Sequence, residues 1–172
     1  MCSSDLLLNN LAFARASQGK VDGAQSALDR ITRALTDSSK ICLLATRGLI
    51  HFRRGDCDEG RRLYTDAINE AQRLALAPYR ARAALHLARE EVLADSPTML
   101  GSVAQAIALA GPMCEPDVRE ILTQVSRMLS QRQSDPGISD LLTKLENALK
   151  LRVIPVGSCL LLSNRSVAPT ED

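Results

Sequence analysis

Aromatic residues are scarce in this chain: 2% of its 172 positions, with two Phe, two Tyr and no Trp. The strands of a sandwich or barrel draw on aromatic and β-branched side chains, so the composition argues against an all-β core. An excess charge of one sign is also missing. Lys and Arg number 21 against 20 Asp and Glu, a net charge of +1, which supplies no long-range attraction for nucleic acid or an anionic membrane. No apolar run approaches the roughly 18 to 20 residues of a membrane span, and Leu6 to Leu8 is too short, and lacks the basic flank, for a signal peptide. Cys2, Cys42, Cys57, Cys114 and Cys159 are odd in number, scattered and without CxxC spacing. That usage predicts reduced, structural thiols and a cytoplasmic setting.

What is abundant points one way. There are 27 Leu and 22 Ala against nine Gly and seven Pro, a composition of strong helix formers with few breakers. Shifting the chain by 36 residues places Leu8 on Leu44, Ala12 on Gly48, Gly19 on Gly55, Asp22 on Asp58, Ala24 on Gly60 and Leu28 on Tyr64. In each copy a small residue in one helix is followed by a Gly suited to end it, then by a second small residue. Two helices of a tight hairpin approach closely only where facing positions lack bulk, so Ala24 and Gly60 are expected to face Ala12 and Gly48. A third, looser copy begins at the helix opened by Pro78, turns at Ala94–Pro97 with Ser96 as N-cap, and continues from Thr98 to Ala110. After Pro116, Val118, Ile121, Leu122, Val125, Met128 and Leu129 recur at helical spacing, as do Ile138, Leu141, Leu142, Leu145, Ala148 and Leu149.

The segments Asn10 to Ala24 and Ala45 to Tyr64 resemble the core of a tetratricopeptide repeat, a family of repeating helix–turn–helix units. The match rests on Leu8, Leu11, Ala12, Ala24 and Leu28 in the first copy and on Leu44, Gly48, Gly60 and Tyr64 in the second. Arg15 and His51 stand where the family has an aromatic. The resemblance implies an all-α, right-handed solenoid of antiparallel helix hairpins with a C-terminal helix pair. On this reading residues 7–110 form about three hairpins, 111–150 are capping helices or a divergent fourth repeat, and 151–172 are a short extended segment followed by a disordered tail. Residues 1–6 carry a further ambiguity. Cys2 to Leu6 is what one frame of a common short-read sequencing adapter encodes, so this stretch is either adapter-derived, making the chain a fragment, or a native start in which Ser4 or Asp5 caps the first helix.

Chemistry is harder to find. There is no HExxH, GxSxG, Walker loop or dinucleotide fingerprint, so no enzyme, catalytic residue, metal site or cofactor is expected. His86 and Glu90 share a helix face, but two ligands do not make a metal site. Cys42 and Cys57 read as small core residues, and Glu90, Glu91 and Asp95 as a solvated turn. Nine Arg lie between Arg47 and Arg89; without interleaved aromatics for base stacking they read as a salt-bridged helix surface, which argues against nucleic acid.

The family resemblance implies a non-enzymatic protein-interaction scaffold that holds a peptide or partner helix in a concave, mainly apolar groove. Membrane, nucleic acid and small-molecule substrates are not expected as partners. Carried over by position, the groove would take Asn9, Phe13, Ala16 and Ser17 from the first hairpin. From the second it would take Ala45, Leu49, Phe52 and Arg53, and from the third Ala81, Leu85, Ala88 and Arg89, with Arg53 and Arg89 as a basic rim. The alternative is a regulatory or sensory repeat segment of a larger protein whose catalytic or DNA-binding domain lies upstream.

Overall fold

The computed structural model describes residues 3–31, 36–113, 115–132 and 136–150. Among them every regular element is an α-helix: α1 (Ser3–Ser17), α2 (Val21–Leu28), α3 (Asp37–Arg54), α4 (Cys57–Arg73), α5 (Ala77–Leu93), α6 (Met99–Ala110), α7 (Pro116–Ser130) and α8 (Pro136–Lys150). None is long and apolar enough to cross a membrane. The extended segment and tail expected over 151–172 lie outside the described residues.

One turn geometry recurs. At Gly19, Gly55, Ala75 and Asp95 the backbone enters the left-handed region, with φ of 75°, 83°, 54° and 53°. Each time the next amide reaches back to a carbonyl five residues earlier: Lys20 to Arg15, Asp56 to His51, Leu76 to Ala71 and Ser96 to Glu91. This satisfies carbonyls that a helix end would otherwise leave unpaired. Gly55 adopts its φ without a Cβ clash, and Asp56 then caps α4, its carboxylate accepting from the Glu59 amide at 3.4 Å. The turns at Gly19 and Gly55 fall where the sequence places them, whereas the left-handed Ala75, an unfavourable residue there, carries no sequence signal. The third hairpin differs in detail from expectation. α5 opens at Ala77, and the Ser96 hydroxyl accepts from the Thr98 amide at 3.3 Å, delaying α6 to Met99.

Short connections fold the helices into pairs, α1 with α2, α3 with α4, α5 with α6 and α7 with α8. The first members of the pairs also meet in series, α1 on α3, α3 on α5 and α5 on α7, while α2 rests on α3 and α4 on α5. One apolar core runs through the stack from Ala12 to Leu145.

The tightest approach lies between α3 and α4. A Cβ built on Gly60 would come within 2.6 Å of Phe52 Cδ2 and 3.0 Å of the Gly48 carbonyl oxygen, and one on Gly48 within 2.8 Å of Tyr64 Cδ2. The two glycines therefore face each other, and the Phe52 and Tyr64 rings fill the flanks with centroids 6.1 Å apart. In the first hairpin Ala12 and Ala24 are both wholly buried. There Arg15 spans α1 and α2, its Nη1 donating to the Gly23 carbonyl at 2.9 Å.

Glycines of this chain should thus respond with opposite signs. Gly60→Leu overpacks the crossing and is expected to destabilise by about 1–3 kcal/mol. Gly101, inside α6 with no atom within 4 Å of an added Cβ, should gain about 0.5–1 kcal/mol as Ala. Urea midpoints of the two variants measure both; equal shifts would show that α3 and α4 are not in backbone contact.

Candidate functional site

The face shared by α1, α3 and α5 holds a cleft of about 190 Å³ with mainly apolar walls. Helix α1 contributes Asn9 and Phe13, and α3 contributes Ile41, Cys42, Ala45 and Thr46. From α5 come Tyr79, Arg82, Ala83 and His86, spaced i, i+3, i+4 and i+7 and so on one side of the helix. Phe13 and His86 meet edge to face, ring centroids 5.1 Å apart. Asn9 Oδ1 and His86 Nδ1 are buried with no hydrogen-bond partner among the described residues. Thr46, by contrast, donates to the Cys42 carbonyl at 2.9 Å.

The cleft carries little free charge. Burial pushes His86 down to about 3, with the Arg89 and Arg82 charges adding to the shift and Asp117 opposing it, so the imidazole is neutral at physiological pH. Arg82 is turned to α7, where its Nε lies 2.5 Å from Asp117 Oδ2. That guanidinium holds the Asp117 carboxyl below the usual range. Burial raises the Cys42 thiol against a smaller opposing effect of Arg82, which disfavours the thiolate a nucleophile would need.

A second polar feature lies at the far end of α5. The sequence places Glu90 and Glu91 in a solvated turn; they are instead 1% and 0% exposed. Neighbouring residues of a helix point about 100° apart, so Glu90 turns to α3 and Glu91 to α4. Glu90 Oε1 accepts from Arg89 Nε at 2.9 Å and from Arg53 Nη2 at 3.2 Å. Arg53 Nη1 lies 2.5 Å from Oε2, off the direction a hydrogen bond needs. Glu91 Oε1 accepts from Arg61 Nε at 2.6 Å, and Oε2 from the Thr98 hydroxyl at 2.8 Å. Desolvation alone would raise the Glu91 carboxyl, but Arg61, Ser96 and Thr98 together hold it below the ordinary value.

These placements sort the residues expected of the groove. Asn9 and Phe13 line the cleft, as does Ala45. Ser17, the last residue of α1, is exposed outside it. Leu49 and Leu85 are wholly buried, with Ala16, Ala81 and Ala88, and belong to the core between layers. Phe52 packs over Gly60, and with Arg53 borders a smaller hollow of about 130 Å³ beside Glu90, Leu93 and Ala94. Arg53 and Arg89 form no free basic rim, since both are committed to Glu90. Cys42, Thr46, Tyr79, Arg82 and His86 were not expected in the site. The signal available for them is Tyr79 and His86, two of the few ring-bearing residues, on one face of the same helix. Most arginines between Arg47 and Arg89 are paired, Arg62 with Glu59 and Asp66, Arg73 with Glu70. Among the described residues no group of three or more His, Cys, Asp or Glu could hold a metal ion.

The two acid–base features have separable consequences. Arg61→Ala strands the buried Glu91 and should cost about 2–3 kcal/mol, whereas Arg62→Ala, whose partners Glu59 and Asp66 remain partly open to water, should leave the urea midpoint unchanged; equal effects would contradict the burial of Glu91. His86 is depressed in the folded chain, so its contribution is complete above the usual imidazole value near 6.5 and is lost as pH falls through the window from 6.5 toward 3. Glu91 contributes only to losses below its ordinary value of 4.5. Between pH 7 and 5 stability should therefore drop by up to about 2 kcal/mol, and His86→Gln should flatten that slope in a pH series of denaturation curves.

Compared with models of known protein families, with curated proteins and with solved structures, the chain matches none of them.

Proposed function

We propose that this chain is a non-enzymatic protein-interaction module, a tetratricopeptide-like stack of helix hairpins that holds a peptide or partner helix on the face shared by α1, α3 and α5. The observation that carries this reading is the apolar cleft at the meeting of three successive first helices. In a stack of hairpins this is the position where one layer of helices offers a continuous surface while the other layer faces away. The 36-residue register, with Gly48 and Gly60 in contact and left-handed Gly19 and Gly55 at equivalent turns, favours a repeat over an unrelated bundle. Small residues on the cleft wall, Ala45 and Ala83, leave room for side chains of a bound segment, and binding energy would concentrate on Phe13 and Tyr79.

A peptide display library panned on the full chain tests this reading. Selected peptides should lose at least about tenfold in affinity on Tyr79→Ala, and Ala45→Phe, which fills the cleft, should block them while thermal stability is retained. A library that yields no binder, or binders indifferent to both substitutions, would remove the groove.

A further inference from the structure

In a chain with two Phe, two Tyr and two His, one of each, Phe13, Tyr79 and His86, borders a single cleft. Phe52 and Tyr64 are taken up by the α3–α4 crossing. Phe13 and His86 already sit edge to face, a geometry that a third ring extends favourably. Size agrees: an apolar cavity of about 150 Å³ takes one benzene molecule, and the cleft measures about 190 Å³, room for one substituted six-membered ring.

Polarity narrows the occupant further. Asn9, only 8% exposed, and His86 each keep a buried side-chain atom without a partner among the described residues, an arrangement proteins rarely tolerate unless something else supplies the bond. A hydroxyl both donates and accepts, so it can meet an amide or a neutral imidazole in either orientation. Both are planar ends that can turn within their own outline to present the unpaired edge. Charge is excluded as a ligand feature, because the imidazole is neutral through burial and Arg82 is neutralised by Asp117.

Resting on the groove reading above, we infer that the cleft receives the neutral phenol ring of a tyrosine side chain in the partner segment, packed among Phe13, Tyr79 and His86 with its hydroxyl bonded to Asn9 or His86. The cleft is partly open to solvent, so a side chain can enter while its backbone stays on the surface of α1, α3 and α5.

The test titrates the full chain with N-acetyl-tyrosinamide, N-acetyl-phenylalaninamide, N-acetyl-leucinamide and p-cresol. Two readings follow occupancy, amide shifts in NMR and the alkylation rate of Cys42, which borders the cleft, by mass spectrometry. Tyrosinamide should protect Cys42 and bind roughly five- to tenfold tighter than phenylalaninamide. Of Asn9→Leu and His86→Phe, the variant that removes the hydroxyl's partner should reduce that ratio toward one while phenylalaninamide binds as before; a ratio unchanged in both variants overturns the hydrogen bond. Equal affinity of the tyrosine and phenylalanine amides overturns the phenol assignment, and so does an absence of protection by any of them. A p-cresol affinity above that of tyrosinamide overturns the peptide source. Display peptides that bind the cleft without tyrosine separate failure of this assignment from failure of the groove itself.

Discussion

Everything in the second and third hairpins is referenced to one crossing, where the backbones of α3 and α4 touch. A Cβ built on either Gly48 or Gly60 would lie 3.0 Å from the other's carbonyl oxygen, and no other residue type fits there without displacement. Because the helices approach so closely, Phe52 and Tyr64 must lie beside the contact and not within it. The same closeness sets the outer arginines, Arg53 on α3 and Arg61 on α4, at the right separation to receive two adjacent residues of α5. Loosening the crossing would therefore move the anchors of the next hairpin as well as open a void.

Glu90 and Glu91 show how a stack of hairpins can fix the relation between neighbours with polar contacts. Apolar packing is non-directional and tolerates sliding, whereas a carboxylate held by a guanidinium fork has a defined place. Burying both carboxylates carries a large desolvation cost, and the arginines offset it without making the pair a strong source of net stability. Their contribution is to register: α5 cannot slip by a turn along α3 and α4 without stranding two charges. The hollow beside Arg53 and Glu90 is a by-product of that arrangement, walled by groups already paired.

The helical class, the hairpin turns at Gly19 and Gly55 and the Gly48–Gly60 contact were legible because each follows from a local rule about size or φ. Side-chain destinations were less so. The position-by-position transfer placed Leu49, Leu85 and Arg89 on the open face, but a shift of one residue rotates a helix by about 100°, enough to exchange surface for core. Asn9 and Phe13 do border the cleft, since α1 packs on α3 along this face. The burial of Glu90 and Glu91 is hidden in the sequence for a different reason. Nothing within the local sequence tells that Arg53 and Arg61, 37 and 30 residues upstream, arrive to meet them, and without those partners two adjacent glutamates do belong in water.

The first hairpin is the lightest component of the stack. Helix α2 has eight residues, and Leu6 and Leu7 of α1 are 47% and 62% exposed, so this hairpin is less fully packed than those that follow. In a linear array of nearest-neighbour interfaces a lightly packed unit opens on a free-energy scale below that of global unfolding. Yet Asn9 and Phe13 form the α1 wall of the cleft. Opening this hairpin and dismantling the wall are one event, so an occupant of the cleft and the ordering of the first hairpin are thermodynamically linked. Slowed amide hydrogen exchange in α1 and α2 would then be the remote signature of a ligand that touches only a few of their residues.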